Sequence, residues 1–369
     1  MAESAPTAGL AETPAAARPG QTATERALAE ERGEWRVLNI AAAVFFLAAA
    51  VFGVVYGMRG DQFYLRLATE ALIYGGLALS VDILLGIAGL LSLGQALYFG
   101  LGAYVAALIL KYVAASFWLA LAASVAAGVV AGLIGGIIAI RARGVYFALI
   151  TYGLAQIVSK VIYNTREIQI GSTKVFVGAS DGITGVPIVD VPFGVFTTKA
   201  DSPMGFFLVT LAILGLVYLA VVYLVGTPFG RALAGVRINE KRLPFLGYRP
   251  ERLKLAAFVL AAAIAALVGS LYAMMRGSVF PELMYFEAST NAIVATIIGG
   301  TGTLIGPLYG SVILVFLKSI IGTFTHHHLM VIGALFMVAV IFFPRGLVGY
   351  LRDRRTARRQ SSSDSGGPG

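Results

Sequence analysis

The chain has 369 residues, of which 58% are hydrophobic and 13% charged, a formal net charge of +9 and a mean hydropathy of +0.83. That much apolar surface excludes a soluble domain and makes this a polytopic membrane protein, whose basic excess fits positive cytoplasmic loops better than nucleic-acid binding. The absence of cysteine excludes disulfides and cysteine-based metal or redox chemistry.

In chain order, residues 1–36 are rich in Ala, Pro, Thr and Glu and are expected to form a disordered cytoplasmic tail before an uncleaved first span. A bilayer core takes about twenty residues of helix. Ten apolar segments are predicted: Val37–Tyr56, Leu67–Leu85, Tyr98–Tyr112, Phe117–Ile140, Val145–Tyr163, Gly205–Val225, Leu255–Met275, Ala288–Ile298, Leu304–Ile321 and Leu329–Phe343. Ala288–Ile298 is too short to cross alone, so the expected fold is all-α with about 8–10 transmembrane helices. The membrane-spanning body covers 37–349, and a basic, disordered cytoplasmic tail covers 350–369.

Orientation follows from Lys and Arg. The loop Gly226–Lys254 holds seven basic residues and two acids. Arg141 and Arg143 lie in a second basic loop, and the C-terminal tail is arginine-rich. With alternating segments all three fall on one side, the cytoplasm, together with both termini. The long loop Asn164–Met204 falls outside.

Two segments are broken by glycine. "GIAGLLSLGQALYFGLGAY" (Gly86–Tyr104) carries five glycines, and "IIGGTGTLIGPLYGSVIL" (Ile297–Leu314) carries Gly299, Gly300, Gly302, Gly306 and Pro307. Irregular backbone at membrane depth is tolerated only where protein or water covers it, and paired broken segments point to a transport path. Gly128, Gly132 and Gly136 form a small-residue helix face suited to close packing or to a moving seam.

Ionisable residues within spans mark functional sites or internal pairs. Glu70 is near the outer end of its span and is expected to snorkel. Asp82 is nearer the cytoplasmic end and is expected to pair with Arg141 or Arg143, or to relay ions. No lysine follows a glycine, so the phosphate-binding G-x-x-x-x-G-K-[ST] loop is absent. H-E-x-x-H and G-x-S-x-G are absent too, and no catalytic residues are assigned. His326, His327 and His328 are adjacent in a short loop, without the helical spacing that converges on a metal, so no metal site is expected. In the basic loop, Thr227 is placed to cap a helix that starts with Pro228, and Arg231–Ile238 reads as amphipathic. A compact charged helix between spans suits docking of a cytoplasmic partner.

Several stretches together resemble the LivM-type permease subunit of bacterial branched-chain amino acid ABC importers. They are Gly86–Tyr104, "GVYFALITYGLAQIV" (Gly144–Val158), "SDGITGVP" (Ser180–Pro187), "TPFGRALAGVRINEKRLPFLGY" (Thr227–Tyr248), "ATIIGGTGTLIGPLYGSVIL" and "FFPRGLVGYL". The resemblance implies a transport subunit of the inner membrane that is not itself the enzyme. Its partners would be a LivH-type permease, two cytoplasmic ATP-binding subunits carrying ATP and Mg, and an extracytoplasmic substrate-binding protein. The chain would bind no cofactor and no nucleic acid. The resemblance also implies a coupling helix around Arg231, Arg237, Glu240, Lys241, Arg242 and Gly247. It implies a substrate path that includes Ser92, Gln95, Tyr98 and Asp82, and an outer docking loop with Asp181 and Gly182. The family's E-A-A-x-x-x-G signature is incomplete here, since Glu240 is displaced by one position from the window ending at Gly247. Branched-chain amino acids are the default cargo, with urea, short amides and aromatic carboxylates as alternatives. A stand-alone ion-coupled transporter using Asp82 and Glu70 is the rival from another class. An intramembrane enzyme would need convergent nucleophile, base or metal residues that the sequence lacks.

Overall fold

The computed structural model describes residues 23–324 except 171–172, 188, 190, 194–195 and 199–201, together with Gly333. The expected span Leu329–Phe343, His326–His328 and the C-terminal tail lie outside the described residues, apart from Gly333 within that span.

The first helix, α1 (Ala23–Arg59), begins well inside the expected tail. The stretch 23–36 is dominated by Ala, Glu, Arg and Leu, all strong helix formers, so local propensity extends the helix back from the membrane. It is followed by α2 (Gln62–Asp82), which continues into a π turn at Ile83–Ile87. After an irregular stretch come α3 (Gln95–Leu108) with a second π turn at Ile109–Val113, α4 (Phe117–Ala139) and α5 (Val145–Asn164).

The Asn164–Met204 loop forms small antiparallel pieces. β1 (Glu167–Ile170) pairs with β2 (Thr173–Phe176), and β4 (Val191–Phe193) pairs with β5 (Phe196–Thr198). Between them lies β3 (Ile183–Thr184).

The chain continues through α6 (Pro203–Gly226), α7 (Pro228–Asn239), a 3-10 turn at Glu240–Leu246 and α8 (Pro250–Arg276). Next is β6 (Ser278–Val279), which pairs with β3 so that Ile183 sits opposite Val279. The last described helices are α9 (Phe286–Gly299) and α10 (Gly306–Phe324).

Among the described residues, eight helices are long and apolar enough to cross a bilayer. The fourteen-residue α9 is not one of them. The core is built around α2, which packs against α6, α8, α9 and α10, and around α8, which packs against α3 and α4. The Gly128–Gly132 face seats α4 on α8: a side chain at Gly128 would meet Ala262 and Ala266, and one at Gly132 would meet Ala262 and Val259. Close approach without side chains is what a small-residue seam provides. On the other side of α4, Val130, Leu133, Ile134 and Ile137 are exposed and wholly apolar, as a lipid-facing surface must be.

Helix ends follow local chemistry. Ser202 caps α6 by accepting the Gly205 N–H at 3.0 Å, and Pro203 opens the helix. Gly277 closes α8 in the left-handed conformation at φ 66°. Thr227 holds the N-cap position of α7 but does not cap it. Its hydroxyl turns back to donate to the Leu224 carbonyl at 2.5 Å.

Candidate functional site: the junction of two broken segments

The two glycine-broken segments meet. The first runs from the π turn after α2 to the start of α3, and the second is the turn between α9 and α10. A side chain at Gly86 would fall on the backbone of Gly302 and on the Asp82 carboxylate, so only glycine allows this approach.

Asp82 welds the contact. It is fully buried, and its two oxygens accept separate backbone N–H groups of the second turn: Gly302 on Oδ1 at 2.6 Å and Leu304 on Oδ2 at 3.0 Å. A carboxylate that accepts backbone N–H groups is held by charge-assisted bonds. The turn requires this support. Gly302 has φ 78° and the non-glycine Leu304 has φ 61°, a left-handed conformation that costs roughly 1–2 kcal/mol for an L-residue. Thr303 completes the turn: its hydroxyl donates to Gly300 O at 2.7 Å and accepts Gly306 N–H at 3.0 Å.

The expected Asp82 pair with Arg141 or Arg143 is not formed. The described ion pairs are Glu240–Lys254 and Glu70–Arg276. The arginine that reaches this junction is Arg237, from α7. Its guanidinium donates to the Gly86 carbonyl, and its stem lies against Gly89. Sequence spacing placed Arg237 in a basic loop 151 residues away and gave no sign of that contact.

Downstream, α3 starts inside the protein. Leu93 N–H donates to Thr151 Oγ1 of α5 at 3.1 Å, and Ala96 N–H donates to Ser289 Oγ of α9 at 2.9 Å. Thr151 and Ser289 therefore hold the first turn, though sequence alone did not single them out. Ser92 is buried, with its hydroxyl 3.4 Å from Gly94 N. Gln95 is 0% exposed, and neither Oε1 nor Nε2 has a hydrogen-bond partner among the described residues. Such a group carries the full cost of desolvation, which apolar packing alone does not explain. Tyr98 points elsewhere. Its ring packs edge-on against Phe258 at 5.6 Å, and its hydroxyl lies against Gly135 of α4. These contacts place the Tyr98 ring in the packing between α3, α4 and α8.

At the basic end, α7 buries Ala232, Leu233 and Val236 and leaves Arg231 exposed. Lys241 and Arg242 are exposed on the 3-10 turn, which ends at Gly247 with φ 81°. Glu240 bonds Lys254 at 2.7 Å, and the lysine side chain is only 5% exposed. This ties the turn to the foot of α8. The tip of the loop presents Ile238, Phe245 and Leu246 to solvent, Phe245 at 90% exposure.

At the opposite end, Asp181 is exposed on a 3-10 turn, while Gly182 is buried with φ 66° against Val279 and Phe280. Glu70 does not snorkel freely. Arg276 at the end of α8 donates to both its oxygens, at 3.1 and 3.0 Å.

The chain matches the family described as branched-chain amino acid transport system, permease component, over residues 63–340. It is 28% identical over 328 residues to the high-affinity branched-chain amino acid transport system permease protein LivM of Salmonella typhimurium, covering 84% of this chain and 75% of LivM. LivM of Escherichia coli gives the same identity and coverage. A shorter similarity, 29% over 122 residues, links it to LivH of Escherichia coli and covers 32% of this chain and 39% of LivH. No solved structure matches the chain. With the family match running through α2 to α10 and most of the chain aligned to LivM, the protein belongs to the family of branched-chain amino acid transport system permease components.

Proposed function

We propose that the protein forms half of the translocation path of an ATP-driven importer for branched-chain or other hydrophobic amino acids. A LivH-type permease supplies the other half. Two ATP-binding subunits dock on the basic end, which faces the cytoplasm with both termini, and a substrate-binding protein docks on the Asn164–Met204 face. ATP and Mg belong to the docked subunits. The multi-pass chain sits in a bacterial inner membrane.

The observation that carries this reading is the construction of the basic segment. An apolar tip (Ile238, Phe245, Leu246) stands in solvent beside exposed Arg231, Lys241 and Arg242, the composition of a protein-docking patch. The same segment reaches inward by two struts, Arg237 to the Gly86 carbonyl and Glu240 to Lys254. A push on the patch is delivered to the first broken segment and to α8 together. Because Asp82 bonds that region to the second broken segment, both move as a connected unit. Ser92 and Gln95 lie on the far side of the same segment, where a shift of α3 would uncover them to a passing solute. Tyr98 belongs to the packing core and is left out of the path.

The test is co-purification from native membranes of the tagged wild type and of Phe245→Glu. The wild type should bring down a second permease and two ATPases, and the variant should keep the permease and lose the ATPases. A wild type that comes down alone after gentle solubilisation overturns the importer in favour of a stand-alone transporter.

A further inference from the structure

The strongest unassigned feature is a groove of ≈ 330 Å³ bounded by α2, α9 and α10. Its wall combines Glu70, Glu287, Asn291 and Lys318 with apolar Leu314 and Val315. Ligand pockets begin at about this volume, so the groove suits a solute of amino-acid size.

Lipid is the wrong occupant for this surface. Glu70 lies eight residues inside the Gln62–Ile87 span, and Lys318 lies five residues from the end of the Gly306–Thr323 span. Ionisable side chains at such positions face water or protein, not hydrocarbon. The exposed face of α4, with Val130, Leu133, Ile134 and Ile137, shows what this chain presents to lipid.

The charges in the groove are not all used. Arg276 occupies both oxygens of Glu70. Glu287 and Lys318 form no ion pair with any described residue, although the two acids are close enough to act electrostatically on the lysine. Two uncommitted groups of opposite sign, an amide beside them and an aliphatic wall form a complement to a zwitterion with an apolar body.

We propose that this groove binds the transported amino acid. Lys318 receives its carboxylate, Glu287 its ammonium group, and Leu314 and Val315 its side chain. The proposal rests on the importer reading for the identity of the cargo. A zwitterionic lipid headgroup offers similar chemistry, and the experiment separates the two sources.

The chain has no cysteine, so Asn291→Cys creates a single thiol in the groove. The assembled complex is placed in phosphatidylglycerol liposomes and in liposomes containing phosphatidylethanolamine. A charged, water-soluble thiosulfonate is added with increasing leucine. The thiol should react, and leucine at ten times its half-protecting concentration should slow the reaction about tenfold in either lipid. Lys318→Gln and Glu287→Gln should each raise the half-protecting concentration by roughly tenfold, the effect of losing one charge-assisted bond. Leucinamide should protect the wild type poorly, with no further loss in Lys318→Gln. The des-amino acid 4-methylpentanoate should behave likewise with Glu287→Gln. A purely structural role for either residue predicts equal losses for all three compounds.

A thiol that reacts only with lipid-soluble maleimide overturns the proposal. So does modification that leucine does not slow, or protection that depends on phosphatidylethanolamine instead of leucine. If the ATPases co-purify but leucine gives no protection, the site fails and the importer reading stands. If leucine protects but no ATPase co-purifies, the importer reading fails and the site stands.

Discussion

The two glycine-broken segments look alike in sequence and are finished differently. The second, between α9 and α10, is closed on itself. Thr303 satisfies both ends of the turn, Asp82 takes two of its N–H groups, and the left-handed Leu304 is held in place. The first, between α2 and α3, is held from outside by Arg237, Thr151 and Ser289, and it leaves the Gln95 amide unpaired. The second turn is braced by its own Thr303 and by Asp82, whereas the first depends on groups from three different helices. Glycine breaks a membrane helix in both places, but the donors and acceptors nearby decide what the break does.

Substitutions can sharpen that contrast. The largest effect is expected for Gly86→Val, which places a branched side chain on Gly302 and Asp82 where the segments touch. Folded, monodisperse protein should be lost on size exclusion. Recovery of normal yield would mean that the segments separate at no cost.

Next is Asp82→Ala. It leaves two buried N–H groups without their acceptor, at about 1–3 kcal/mol each, while Asp82→Asn keeps one acceptor and should lose about half as much. Thermal unfolding in detergent orders the three proteins. A relay role without the anchor would instead show normal melting for the asparagine variant and altered ion dependence.

Arg237→Ala should leave the complex assembled and folded but lower transport per ATP hydrolysed by roughly tenfold, the equivalent of one lost charged hydrogen bond. Uptake and phosphate release measured on the same proteoliposomes decide this. Unchanged stoichiometry would remove the strut.

The smallest structural effect is expected for Gln95→Leu. Replacing an unpaired buried amide with an apolar group should leave the melting temperature unchanged or raise stability by about 1 kcal/mol. On the proposed path the amide meets the solute, so transport should nevertheless fall. A stabilised variant with full uptake would return Gln95 to the core.

Much of this was legible in the sequence. Hydrophobic run length gave the helices, the shortness of α9 and the two breaks, because each depends on local composition. The basic loop read correctly as helical, from Pro228 at its start and the amphipathic stretch Arg231–Ile238, although Thr227 does not cap it. What was hidden was partnership. Asp82 was expected beside Arg141 or Arg143 because they share a side of the membrane, yet its acceptors were satisfied by backbone amides 220 and 222 residues away. Backbone donors carry no sequence signature. Tyr98 was expected on the path with Ser92 and Gln95; its ring packs against Phe258 of α8, a contact 160 residues away that no local pattern announces. Lys318 could have been found: it is an ionisable residue within a predicted span and meets the same criterion that singled out Glu70 and Asp82.

The Arg237 strut has a thermodynamic corollary. If α7 and the first segment shift together, the coupling between the two ends of the molecule is reciprocal: whatever factor ATPase docking on α7 changes solute affinity by, solute binding must change docking affinity by the same factor. Solute arrival is then a signal read at the opposite membrane face, and measuring how leucine alters the grip of the ATPases on this chain would give the coupling energy without any turnover at all.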